Sequence, residues 1–181
     1  MVELGADINK ENTYGEIPLF NACHSGNEAV VKYLVELGTD INKEDKYGET
    51  PLFEACKNVN ELIVKYLVDF GANINKENKD GETPLFEACK NVNISIVKYL
   101  VEHGADINKE NEYGETPLFN ACLNENDTSV KVVKYLVEKG VNINKKNNFG
   151  KNPLSISCYN NNKEIKKCLI EHGAYETPND S

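Results

Sequence analysis

Five glycines, Gly15, Gly48, Gly81, Gly114 and Gly150, recur at spacings of 33, 33, 33 and 36 residues. A period of that size constrains the fold more than any composition does, because it marks a chain built from one supersecondary unit used repeatedly. Three residues after each glycine comes a proline: Pro18, Pro51, Pro84, Pro117 and Pro153. Five residues after each proline comes a cysteine: Cys23, Cys56, Cys89, Cys122 and Cys158. A second glycine closes each unit at Gly38, Gly71, Gly104, Gly140 and Gly173. The run ETPLFEACKNVN that begins at Glu49 recurs letter for letter from Glu82.

Each unit predicts two short helices and a turn. Thr50-Pro51 has the form of an N-cap followed by proline at the first helical position, where the missing N–H costs nothing. Leu52, Phe53, Ala55 and Cys56 form the apolar face of the first helix. In the second, Ile63, Tyr66, Leu67 and Phe70 fall at i, i+3, i+4 and i+7. Gly71 supplies a left-handed stop. Asp45-Lys46-Tyr47-Gly48 fits a type I turn. Helices this short cannot bury their faces alone, so the units must stack into one continuous core.

The period, the turn glycine, T-P-L-F-x-A-C and the closing G-A-[DN]-I-N resemble the ankyrin repeat, whose period and signature are well defined. The resemblance implies an all-α solenoid of stacked helix-turn-helix units with projecting β-hairpin-like loops. It places a single array over residues 1–174, with a leading half-unit at 1–11. Repeats are expected at 12–44, 45–77, 78–110, 111–146 and 147–174, followed by a short polar tail at 175–181. Phe20, Phe53, Phe86, Phe119 and finally Ser155 stand where the family has His, so its Thr-to-His hydrogen bond is absent and phenylalanine supplies packing. Ile17 replaces the cap threonine of the first full unit. Val59 and Val92 stand where Gly26 keeps the family's glycine between the helices. Three extra residues of the fourth unit fall within 124–131, read as a lengthened surface loop. Met1 to Gly5 aligns with Leu34 to Gly38, so the first full unit is expected to expose apolar surface. Either the array continues upstream or that face meets a partner.

Charge and side-chain chemistry exclude several functions. The chain carries 29 acidic and 20 basic residues, a net charge of −9, which disfavours general nucleic-acid binding. Every basic residue is lysine, so bidentate guanidinium recognition is lacking. No apolar run approaches a membrane span and the N-terminus lacks the form of a signal peptide, so membrane insertion is not expected. Five of the six cysteines recur once per unit on first helices about 10 Å apart, too far for disulfides along the ladder, which need Cα atoms within about 7 Å. They read as small core thiols in a reducing, intracellular and cytoplasmic setting. Neither they nor the isolated His24, His103 and His172 form a metal or catalytic motif. No cofactor and no enzymatic activity are expected.

The resemblance implies that a partner protein binds the concave face formed by loop tips and first helices. Carried over by position, the candidates at the tips are Tyr14, Lys46, Tyr47, Lys79, Asp80, Glu112, Tyr113 and Phe149. After the turn glycines come Glu16, Glu49, Glu82 and Glu115. Along the first helices come Glu54, Lys57, Glu87, Lys90, Asn120 and Leu123. The turn does not require a tyrosine, and rigid amphipathic rings are enriched at binding hot spots. The Glu ladder reads as a solvated face, with steering of a basic partner as the alternative. The array would act as a monomer or as part of a longer array. The alternative is a regulatory or targeting segment of a larger enzyme whose catalytic part lies elsewhere.

Overall fold

The computed structural model describes Gly5, residues 7–124 and residues 126–176. Among these residues it has ten α-helices and no strand. They come as five pairs: α1 (Pro18–His24) and α2 (Glu28–Glu36), α3 (Pro51–Lys57) and α4 (Glu61–Asp69), α5 (Pro84–Lys90) and α6 (Ile94–Glu102), α7 (Pro117–Cys122) and α8 (Asp127–Glu138), α9 (Pro153–Tyr159) and α10 (Lys163–Glu171). First helices stack on first helices, second on second, and each pair also packs internally. Leu52, Leu85, Leu118, Ile63, Ile96 and Val132 fill the space between the two layers and are buried. The four residues at the amino end and the tail beyond 176, assigned above to a half-unit and a polar end, lie outside the described residues.

Proline opens every first helix, but the preceding threonine does not cap it. Thr50, Thr83 and Thr116 make no side-chain cap bond, and their buried hydroxyls have no hydrogen-bond partner among the described residues. Phe20, Phe53, Phe86 and Phe119 are buried in their place beside the helix start. Only the last unit restores a polar pair. There Asn152 accepts from the Ser155 N–H at 2.9 Å, and the Ser155 hydroxyl accepts from the Asn152 N–H at 3.3 Å, a reciprocal capping box. The second helices are capped throughout by asparagine. Asn27, Asn60, Asn93, Asn126 and Asn162 each accept a backbone N–H three residues on.

Two departures from the repeat resolve differently from expectation. The three extra residues of the fourth unit do not lengthen a loop. They add a turn to the start of α8, which has 12 residues where α4, α6 and α10 have 9. Asn126 caps that turn, and the buried Ser129 hydroxyl donates to the Asn124 and Asn126 carbonyls. Val59 and Val92, in contrast, keep the family's left-handed turn despite being β-branched, at φ +57° and +48°. At the amino end Val30 is 41% exposed, whereas its counterparts Ile63, Ile96, Val132 and Ile165 are at most 1% exposed. The first unit thus exposes Val30 where the later units bury the matching residue. At the other end Asn152 donates to the Tyr175 carbonyl and Lys166 pairs with Glu176, so these two residues pack on the last unit.

Polar ladders join the units along their length. Asn42 and Asn75 donate to the closing carbonyls of Gly71 and Gly104 in the next unit, while Asn42, Asn75 and Asn108 accept the N–H groups of Asn73, Asp106 and Asn142. Beside them, Lys43–Glu11, Lys76–Glu44, Lys109–Glu77 and Lys145–Glu110 pair across successive units at 2.6–2.8 Å. On the second helices, Lys32, Lys65 and Lys98 lie over the rings of Tyr66, Tyr99 and Tyr135 in the following unit. The abundance of asparagine thus has a structural use, because its amide satisfies helix ends that would otherwise be orphaned.

Candidate protein-binding surface

Each projecting loop is organised by its first residue. Asp45 accepts the N–H groups of Tyr47 and Glu49 on one carboxylate oxygen, at 2.8 and 2.9 Å. The Asp45 N–H donates to the Glu49 carbonyl and closes the loop. Asn12, Asn78, Asn111 and Asn147 repeat this arrangement. Gly48 takes φ +77°, and a Cβ there would lie 3.1 Å from the Lys79 nitrogen of the next loop. That close approach lets the loops bond to one another. Lys46, Lys79, Glu112 and Asn148 donate backbone N–H groups to the carbonyls of Tyr14, Tyr47, Asp80 and Tyr113, at 2.8–2.9 Å.

The tips therefore spend their backbone on the stack and leave their side chains outside it. Tyr14, Tyr47, Tyr113 and Phe149 are 54%, 59%, 52% and 72% exposed. Lys46, Lys79, Asp80 and Glu112 are exposed beside them. The glutamates after the turn glycines are more embedded. Glu16 accepts from Asn12, Glu82 from Asn111 at 3.4 Å and Glu115 from Asn147 at 2.9 Å, while Lys57 pairs with Glu49. Burial pushes the Glu82 carboxyl above the ordinary range, against the opposing bond from Asn111.

The first helices do not present one uniform face. Lys90 and Leu123 are exposed, and Glu54 and Lys57 are partly buried. Glu87 and Asn120 are only 6% and 7% exposed. Asn120 donates to the Phe86 carbonyl, and Glu87 lies 3.7 Å from Lys90. Glu87 and Asn120 thus support the surface from within instead of offering free atoms to a partner. His24 is not isolated, as its sequence context implied. Its Nδ1 lies 2.7 Å from Glu54 Oε1 across the unit boundary. These two residues, with Glu16, Phe20 and Asn21, line a recess of about 210 Å³. Position alone could not reveal that recess, since His24 occupies the place of Lys57 and Lys90. His103 and His172 instead donate to the carbonyls of Tyr99 and Cys168 at helix ends.

Five of the six cysteines are buried and Cys158 is half-buried; all are free thiols. Burial raises the Cys23 thiol to about 12, and Cys56, Cys89 and Cys122 shift upward for the same reason. Such thiols stay protonated and poorly nucleophilic. Among the described residues no group of histidine, cysteine and carboxylate side chains has metal-binding geometry, and no helix is long and apolar enough to cross a membrane.

Stacked helix pairs joined edge to edge by backbone-bonded loops define a helical repeat solenoid. The sequence matches the family described as Ankyrin repeats (3 copies) over residues 1–78, 60–147 and 126–181, and the chain belongs to that family. Ankyrin repeats are generally noncatalytic and generally bind other proteins. No curated protein matches the chain.

Proposed function

We propose that this array is a noncatalytic module that binds a partner protein along its row of loop tips and the adjoining concave first-helix surface. The observation that carries this reading is the division of labour at the tips. Tyr14, Tyr47 and Tyr113 give their carbonyls to the neighbouring loop, yet each ring remains more than half exposed. Folding does not use that aromatic area, and a partner can bury it at low side-chain entropy cost. The free thiols suit work in a reducing, intracellular compartment. The test is the double variant Tyr47→Ala with Tyr113→Ala. Loss of about 2 kcal/mol or more of binding energy is expected for truncated anchor residues, with the melting temperature almost unchanged. Full retention of partner affinity would refute the reading.

A further inference from the structure

The repeat is broken at one place in the second-helix layer, and a groove lies there. A cleft of about 330 Å³ runs between α6 and α8, lined by Ile94, Lys98, Lys131, Lys134, Tyr135 and Glu138. Three of these six side chains are lysines in a chain of net charge −9. Lys131 is particular to this unit, since Leu62 and Ser95 hold the same position in α4 and α6.

These lysines differ from most of those in the inter-unit ladders. Lys43, Lys76, Lys109 and Lys145 each hold a carboxylate of a neighbouring unit. No described carboxylate lies within ion-pair distance of Lys98, Lys131 or Lys134, although Glu138 lines the same cleft. Tyr135 is 8% exposed and its hydroxyl has no hydrogen-bond partner among the described residues. The Tyr66 hydroxyl at the same repeat position is likewise buried and unpartnered, so the orphaned hydroxyl belongs to the repeat and the cleft is marked by its lysines. The ammonium groups of Lys98 and Lys139 lie 5.5 and 5.4 Å from the centre of the Tyr135 ring, and the Glu102 carboxylate also acts on this tyrosine.

We infer that the α6–α8 cleft is a second binding site, separate from the loop tips, which takes an acidic peptide segment of a partner protein. Glutamate or aspartate side chains flanking an apolar residue match what the cleft offers. The carboxylates meet Lys98, Lys131 and Lys134, and the apolar residue lies against Ile94 and the Tyr135 ring. Charge complementarity fixes the sign of the ligand, and the apolar floor favours a peptide over a small inorganic anion.

The test uses the whole chain, isotope-labelled, and a peptide with a central leucine flanked by three glutamates on each side. Titration should shift the amides of α6 and of the stretch of α8 from Lys131 to Glu138, and added salt should weaken the effect. The same peptide with glutamine in place of glutamate should produce no such shifts. Lys98→Glu, Lys131→Glu and Lys134→Glu together should weaken binding about tenfold or more, the sum of several modest charge contacts. Circular dichroism would establish that the variant is folded, and Lys131→Glu alone should show the same trend if the triple variant does not fold. Unchanged affinity in the folded variants, shifts spread over lysines throughout the array, or equal shifts with inorganic phosphate alone would overturn the inference.

Discussion

The Asn75 amide donates to the carbonyl of Gly104 at 2.9 Å, one unit further along the chain. Its oxygen accepts the Asp106 N–H, also at 2.9 Å. One side chain thus terminates the second helix of the next unit and fixes the start of its extended segment. The neighbouring Lys76 pairs with Glu44 at 2.7 Å but stays on the surface. A hydrogen bond contributes about 0.5–1.5 kcal/mol net, and an exposed ion pair about 0–1 kcal/mol. Asn75→Ala should therefore lower the urea midpoint more than Lys76→Ala. The reverse order would assign the inter-unit coupling to charge.

The left-handed turn at Val59 stores strain. That conformation costs an L-residue roughly 1–2 kcal/mol, and glycine gives back about 0.5–1 kcal/mol through its greater chain entropy. Val59 is 43% exposed, so little packing is lost on truncation. Val59→Gly should stabilise the array by about 0.5–1 kcal/mol in chemical denaturation. Destabilisation would mean that the valine side chain outweighs the strain.

Much of the architecture was legible in the residues. The phase of glycine and proline located all five helix pairs, because a turn and a helix start each demand those residues. What escaped was set by context. Thr50 has the identity of a cap, yet its hydroxyl is shut beneath the layer where phenylalanine replaces histidine. The insertion looked like a loop because its residues are polar, but Asn126 caps a new turn and Ser129 buries its hydroxyl within it. The spacing of the asparagines does not announce their use, which appears once Asn42 is seen bonded to a unit about thirty residues away. In the candidate site, position identified the exposed tips but could not separate Glu54 from the buried Glu87, since both occupy the same repeat position. Their exposure differs through the units that pack beside them.

Glu82 should give the stability a pH signature. Burial raises its folded-state pKa above the unfolded value, so the ionised form destabilises the fold. That cost is complete at neutral pH and disappears as pH falls through the raised folded value towards the ordinary carboxylate range. Glu82→Gln keeps an acceptor for Asn111 and removes the charge. It should raise the melting temperature at neutral pH, and the difference from wild type should close in acid. A lower melting temperature at neutral pH would show that the carboxylate is stabilising.

The thiols should differ in reactivity. Cys158 is half-buried, whereas Cys56, Cys89 and Cys122 are fully enclosed and shifted towards the protonated form. In native protein a thiol-specific disulfide reagent should label Cys158 first. Those three should react only as the array opens. Rapid labelling of Cys89 in the folded state would contradict the enclosed core.

The binding surface is tested most directly by photo-crosslinking in an extract of the cells that make the protein. A benzoylphenylalanine placed at Tyr47 samples the loop tips, and one at Lys65 samples the second-helix face. The expected result is a discrete protein adduct from position 47 that disappears when Tyr113→Ala is added, with none of that adduct from position 65. The same adduct formed from position 65 and absent from position 47 would contradict binding at the tips.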